Sequence, residues 1–392
     1  MTSEERRKGR RERREAERKK RHDDYIRKYN DFNLVLDLDN LKAAYRKSRC
    51  GVAWKESVQR YDLFLMSNLA ETKQKLARGE SISKGFVEFD IHERGKMRHI
   101  RSVHISERVV QKCLCDNVLT PLMTRSLIYD NGASIKNKGY ALVIDFSKYF
   151  DNILHGKLFE MQKKNITDER IFELYKSFVT VFGDDISLGL GSQVSQISAI
   201  SYPNKLDHYC KEVLRIKYYG RYMDDTYLIH RDKEYLKYCL SEIKRICNEL
   251  GIKLNPKKTR IVPLDEGFWF LKGKYILLPS GKIVCKAKRD GVIRMKRKLK
   301  SFKKKYDLGL MPKEDVYTSY QSFRSHLLHF DSYYLVKNMD IFYKGLFHEE
   351  NITGGSDYER HYKKCLLSDK GRCSHSSYRF VGYENYGRYQ CT

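Results

Sequence analysis

The spacing of apolar positions changes several times along the chain, and each change marks an element. Across 32–78 they recur every three or four residues in "NLKAAYRKS" and "SVQRYDLFLMSNLAETKQKLARG", which predicts helices ending at Gly79. The period then drops to two: "GFVEFDIHERGKMRHIRSVH" alternates apolar and polar residues around Gly95, a β-hairpin pattern. "SERVVQKCLCDNVLTPLM" returns to helical spacing, with Val109, Val110, Cys113, Leu114 and Val118 on one face and Ser106 as the expected N-cap. "YALVID" (140–145) is a β-branched, apolar strand that ends on a carboxylate. A helical stretch is expected to about 180, then a Gly/Ser loop, "LGLGSQVSQ", opening a helix through 213. A hairpin over "KYYGRYMDDTYLIH" (217–230), a helix at 232–250 and strands within 259–286 follow. From 292, Val292, Met295, Leu299, Phe302 and Tyr306 form one stripe, and helices continue to about 347.

Charge changes the picture of what this fold meets. The 392 residues carry 77 Lys and Arg against 50 acids, a formal net charge of +27 and a pI near 9.5. Such an excess repels itself unless a polyanion neutralises it, which makes nucleic acid the leading partner and an anionic membrane surface the alternative. No apolar stretch approaches the roughly 18 residues that span a bilayer, and the N-terminus lacks an apolar leader, so a cytoplasmic protein with no membrane partner is expected. The opening segment "SEERRKGRRERREAERKKRHDD" is nearly all charge, read either as a solvated helix or as a basic arm for a phosphate backbone. The stripe after 292 is surrounded by Arg294, Lys296, Arg297, Lys298, Lys300, Lys303, Lys304 and Lys305, a further expected nucleic-acid contact. The ten cysteines form no C-x-x-C pair, and Cys113, Cys115, Cys210, Cys239 and Cys247 lie in apolar patterns, as free thiols of a reducing compartment would.

The candidate chemistry lies in carboxylates. Asp224 and Asp225 adjoin in the 217–230 hairpin, and "YALVID" ends on Asp145. If the two strands are neighbours, the three acids converge and raise one another's pKa unless cations hold them ionised. Hard oxygen ligands favour Mg²⁺, and two such ions clamp the attacking and leaving oxygens of an in-line phosphoryl transfer.

With "DFSKYFD" upstream, Tyr222-Met223-Asp224-Asp225 resembles the palm of a reverse transcriptase, over about residues 40–345. The resemblance points to the bacterial group II intron, retron, diversity-generating and defence-associated lineages. It implies an α+β, right-hand polymerase fold: a basic extension (1–30), fingers (31–139), palm (140–285), helical thumb (286–350) and a polar tail (351–392). It implies an RNA-directed DNA polymerase using two Mg²⁺ ions, with Mn²⁺ as a possible substitute, held by Asp145, Asp224, Asp225 and the Phe146 backbone carbonyl. The implied partners are dNTPs, an RNA template and primer, their RNA–DNA hybrid and a dedicated non-coding RNA, in a bacterial or phage-encoded setting. Lys96 and Arg98 resemble the fingers cations that hold the incoming triphosphate. Phe150, five after Asp145, matches the aromatic that excludes a 2′-hydroxyl; in isolation it reads as a core residue. Asp151 more simply orients the local backbone.

Gly191 and the Ser195-Gln196 pair match the loop that holds the templating base, though many relatives have Gln where Leu190 stands and Pro where Gln196 stands. Diversity-generating relatives share this departure, which implies reduced fidelity. "LGIKLNPKKT" resembles the motif whose lysine protonates the departing pyrophosphate; Lys258 fits and Lys257 competes. "FWFLKGKY" resembles the primer grip, with Phe270 and Leu271 in place and Lys272 where glycine is common. Tyr222, Met223, Phe270, Leu271, Arg294, Arg297, Lys298 and Lys304 are the implied nucleic-acid contacts. The segment Asn131–Lys138 leaves no room for the helix that relatives insert before the palm strand. His361, Cys365, Cys373, His375 and Cys391 fit no common zinc finger, and an RNA-binding tail is expected. Two other readings remain at this stage: template-independent or protein-primed synthesis, and a non-catalytic RNA-binding scaffold. The biological role divides among retron, diversity-generating cassette and anti-phage defence.

Overall fold

The strand Tyr140–Asp145 is apolar at nearly every position because both of its faces are covered. In the computed structural model it lies inside a four-stranded antiparallel sheet. The structure describes residues 3–347 except Arg94, Ser126, 128–137 and Asp184, with residues 3–5, Glu93 and Lys96 described for backbone only. The expectations for the tail, and for all of Asn131–Lys138 but its last residue, lie outside the described residues.

A long helix α1 (Ser3–Tyr29) leads into α2 (Asn33–Leu36), α3 (Leu38–Arg49), α4 (Glu56–Leu63) and α5 (Leu65–Ala77). The hairpin β1 (Phe86–Glu93) and β2 (Lys96–Val103) turns at Gly95, whose φ of 76° suits a residue without Cβ. Next come α6 (Ile105–Leu114), continued through a π-helical turn into α7 (Thr120–Thr124), and then β3 (Tyr140–Asp145). Helices α8 (His155–Lys163), α9 (Glu169–Thr180), α10 (Gln193–Ser201) and α11 (Asn204–His208) precede β4 (Tyr218–Tyr222) and β5 (Asp225–His230). Helix α12 (Lys233–Leu250), strands β6 (Arg260–Pro263), β7 (Phe268–Phe270), β8 (Gly273–Leu277) and β9 (Ile283–Ala287), and helices α13 (Arg289–Asp307), α14 (Lys313–Leu328) and α15 (Tyr333–Phe347) complete the chain.

The main sheet has the order β4-β5-β3-β6. One face, through Leu142, Ile144, Tyr219 and Leu228, joins a helical core that includes Val109, Val110, Ile171, Tyr175, Ile243 and Ile246. The other, through Ala141, Tyr227 and Ile229, packs on Phe268, Phe270 and Leu277 of the small sheet β7-β8-β9. Burial on both faces replaces strict alternation with the continuous apolar run seen in "YALVID". A separate core joins α13, α14 and α15 through Val292, Met295, Leu299, Tyr320, Met339 and Tyr343.

Several boundaries differ from expectation for local reasons. Helix α6 begins at Ile105 with His104 as its N-cap: the ring nitrogen Nδ1 accepts from the Ser106 N–H, so Ser106 is not the cap. The helix expected to run through 213 breaks at Pro203, whose nitrogen has no proton to donate. The stretch to 180 is two helices, the second capped by Asp168, which accepts from Arg170 and Ile171 N–H. Cys113, Cys115, Cys210, Cys239 and Cys247 are buried free thiols, as expected, and burial pushes Cys113 up to about 12. No described helix is long and apolar enough to cross a membrane.

Helix α12 stops at Gly251, which holds φ 74° and accepts no L side chain without strain. Gly251→Ala is expected to cost about 1–2 kcal/mol, because its Cβ would meet only the movable Leu154 side chain and the backbone angle dominates. Urea unfolding of the variant measures it.

Candidate active site

The register of β3 against β5 places Asp145 directly opposite Asp225, the last pair of the ladder. Strands β4 and β5 are joined by only two residues, Met223 and Asp224. The Phe146 N–H donates to the Asp224 carbonyl (3.1 Å), which ties the end of β3 to that turn. Three carboxylates therefore gather at one end of the central strands, as the sequence spacing predicts.

Asp145 is buried, and both its oxygens are engaged. Lys258 Nζ donates to Oδ1 (2.5 Å), and Asn255 Nδ2 donates to Oδ2 (3.0 Å). Asn255 also donates its backbone N–H to the Asp145 carbonyl (2.8 Å), and Ser147 N–H donates to Lys253 (2.7 Å). The Phe146 carbonyl takes part in none of these bonds. Of the two lysines that compete in the sequence, Lys258 is the one that reaches the acids.

Burial pushes Asp225 up to about 6, with the charges of Asp224 and Asp145 adding to the rise and Lys258 opposing it. Asp224 is raised for the same first reason, with Asp145 adding, while Lys258 and Arg98 pull it down. The Lys258 ammonium is held above its usual range, chiefly by its hydrogen bond to Asp145. These are hard oxygen donors short of positive charge, a set that suits hard divalent cations. Among the described residues no three such side chains already form a coordination shell. Lys258 is the cation that Asp145 faces among the described residues.

The turn itself is strained. Met223 has φ 55° at the first loop position, where two-residue hairpins favour glycine. A buried arginine braces it: Arg221 Nη1 donates to the Met223 carbonyl (3.2 Å) and Nη2 to the Ile200 carbonyl of α10 (2.8 Å). The same guanidinium forks onto Asp207 through Nε (2.8 Å) and Nη2 (2.6 Å), and Tyr219 donates to Asp207 at 2.5 Å. Sequence reasoning missed this brace and Asn255. An arginine three residues before the first of the acids, inside an apolar strand, was the available signal.

The loop before α10 packs against β2. Gly191 has φ 115°, and a Cβ there would stand 3.0 Å from the Arg101 carbonyl of β2. Ser192 caps α10 and donates through Oγ to Gln111 (3.1 Å), which donates to buried Glu107 (3.2 Å). Gln196 is exposed on the first turn of α10. Phe150 is half-buried, edge-on to Tyr149 at 5.9 Å, and its carbonyl accepts from Leu188 N–H (2.8 Å). Arg98 is exposed on β2, close enough for its charge to act on Asp224. Lys96 lies two residues before it in the same strand, its side chain outside the described atoms.

A family profile for reverse transcriptase (RNA-dependent DNA polymerase) matches residues 84–304, more than half of the chain and every element of this site. The chain belongs to the reverse transcriptase family. Its mixed helices and antiparallel sheets form the right-hand polymerase fold, and members of this family generally use divalent metal ions. Solved structures similar to the chain include apo telomerase from Candida tropicalis truncated from its C-terminal domain: 12% identity, TM-score 0.39, covering 56% of this chain and 60% of that one. Telomerase from Candida albicans in complex with a TWJ fragment of telomeric RNA matches at 12% identity and TM-score 0.40, covering 77% and 62%. The chain thus spans about three fifths of these telomerase chains. No curated protein sequence matches it.

The residues expected to touch nucleic acid divide. Tyr222 is exposed beside the acids, and Met223 packs partly against the main core. Leu271 is exposed at the β7–β8 turn with φ 54°. Phe270 corrects its expectation: its ring is only 3% exposed and packs edge-on against Tyr227 at 4.7 Å, because it faces the sheet rather than the turn. Arg294, Arg297, Lys298 and Lys304 are exposed on α13, although Lys298 Nζ donates to Ser319 (2.9 Å).

A carboxyl raised from its unfolded range to about 6 destabilises the fold when ionised, a penalty absent at low pH and complete above the folded value. Asp225→Asn is therefore expected to raise the melting temperature in EDTA at pH 8 by about 2–4 °C per kcal/mol recovered, with the gain shrinking as pH falls below 6. Melting curves across pH check the sign. Arg221→Gln leaves Asp207 buried without its cation and is expected to cost about 3–5 kcal/mol, read by denaturant unfolding.

Proposed function

We propose that the chain is an RNA-directed DNA polymerase that extends a primer with dNTPs. The observation that carries this reading is the pairing of Asp145 with Asp225 beside the braced turn that presents Asp224. When bound, divalent cations, here two Mg²⁺ with Mn²⁺ as a substitute, supply Lewis-acid activation of the primer 3′-hydroxyl and neutralise the leaving pyrophosphate. Asp145, Asp224, Asp225 and the Phe146 carbonyl would hold them. Lys258, an ammonium ion at neutral pH, donates a proton to the leaving pyrophosphate. Lys96 and Arg98 hold the triphosphate from the hairpin. Phe150 closes the space beside the sugar and offers a 2′-hydroxyl no acceptor.

Gly191 and Gln196 border the templating base, and Leu190 in that loop favours reduced fidelity. Tyr222, Met223 and Leu271 support the primer, while Arg294, Arg297, Lys298 and Lys304 follow the hybrid backbone. In this reading 1–30 is a basic extension, 31–139 the fingers, 140–285 the palm and 286–350 the thumb. Because β9 runs to Ala287, the palm–thumb boundary is better placed after that residue. The charge of +27 suits a dedicated structured RNA as template, in a cytoplasmic bacterial or phage-encoded defence, retron or diversity-generating system.

Primer extension on a defined RNA template with Mg²⁺ tests the reading, with dNTPs and NTPs compared. Complementary DNA is expected with dNTPs and none with Asp225→Asn. Labelled nucleotide accumulating without template, or on the protein itself, would replace templated synthesis with the specialised kind. No synthesis at all, even with the native RNA supplied, would leave a scaffold. Phe150→Ala is expected to raise NTP use relative to dNTP use by roughly 10–100-fold, read from the ratio of kcat/KM values.

A further inference from the structure

Helix α1 (Ser3–Tyr29) is folded and yet has almost nothing to fold against. From Arg6 to Asp24 every residue but Gly9 is exposed, and Ala16 is the one apolar side chain. A helix polar on all sides has no packing to stabilise it. Its charge order makes matters worse. Arg7, Arg10, Arg14, Arg18 and Arg21 recur at three- and four-residue intervals with Arg11 four after Arg7, so all six share one face over about 21 Å of helix, where like charges repel. The acids that relieve the stripe stand at its margin: Arg11 reaches Glu15 (3.0 Å), and both side chains remain largely in solvent.

Among the described residues, only the root of the helix is attached. Tyr25 donates to the Pro121 carbonyl (3.1 Å) under the Arg125 guanidinium, 4.1 Å from its ring centre. Asn30 donates to the Asn165 carbonyl (3.0 Å) and accepts from Thr167 N–H (2.8 Å). Tyr25 continues the arginine stripe one turn beyond Arg21. The body of the protein thus fixes the direction in which the arginines point.

We propose that this stripe is a docking surface for a double-stranded stem of RNA, separate from the acid cluster. Rigidly aligned guanidiniums suit a rigid ridge of phosphates, which arginine binds in bidentate fashion. Binders of single strands use aromatic platforms for the bases, and the stretch from Arg6 to His22 has no Phe, Tyr or Trp. A membrane-surface helix needs an apolar face to bury, which this one lacks. The stripe is on its own a sufficient cause of stem binding, whether or not the chain polymerises.

The test is binding of the full chain, without nucleotide, to a 5′-labelled RNA hairpin with a stem of about two turns. A quadruple variant, Arg7→Gln, Arg11→Gln, Arg14→Gln and Arg18→Gln, is compared with an off-stripe variant that removes the same charge: Lys8→Gln, Arg13→Gln, Lys19→Gln and Lys20→Gln. The stripe variant is expected to weaken binding at least tenfold and to lower the salt slope by about 3, the off-stripe variant by less than threefold in affinity. Circular dichroism melting, unchanged in both, shows that the fold survives. Equal losses in the two variants, or no loss in either, would overturn the proposal. So would equal affinity for single-stranded RNA, for a DNA duplex of the same sequence or for vesicles containing anionic lipid. Failure of primer extension in the wild-type chain would sink the polymerase reading and leave this result standing.

Discussion

Repulsion among three carboxylates governs the architecture around them. Asp145, Asp224 and Asp225 are brought to one end of the central strands by backbone pairing, and burial raises the cost of charging Asp224 and Asp225. Arg98 on β2 relieves part of that cost at Asp224. Further relief comes from a separate loop, where Lys258 and Asn255 occupy the two oxygens of Asp145. The chain without cations therefore carries an internal substitute for one.

Holding acids together against their own charge demands a rigid frame, and two devices supply it. The sheet is packed on both faces, so β3 and β5 cannot slip in register without exposing one apolar layer. The turn between β4 and β5 is braced from beneath by Arg221, whose own charge is answered by Asp207. The brace also holds the Ile200 carbonyl, so the helix that follows the Gly191 loop and the acidic turn share one guanidinium.

Long elements with a clear period were legible in the sequence: β3 spans 140–145 as expected, and α12 runs Lys233–Leu250 against an expected 232–250. The acid cluster was legible too, because its spacing needs only that two strands be neighbours. What escaped depends on partners distant in sequence. Whether Phe270 faces a turn or a core is decided by Tyr227, across another strand. Arg221 becomes a brace only because Asp207 and Ile200 meet it from other elements. His104 displaced Ser106 as a cap since an imidazole nitrogen in the right place accepts as well as a hydroxyl.

The close approach at Gly191 has a mechanical meaning. With no side chain between that loop and the Arg101 carbonyl, the two backbones come close together. Arg101 belongs to the strand that carries Arg98, and Gly191 to the loop that opens α10. A tilt of the hairpin that presses β2, and with it Arg98, toward the loop meets backbone at once, so the loop is a stop for the strand. The absence of a single methyl group sets how close the two come.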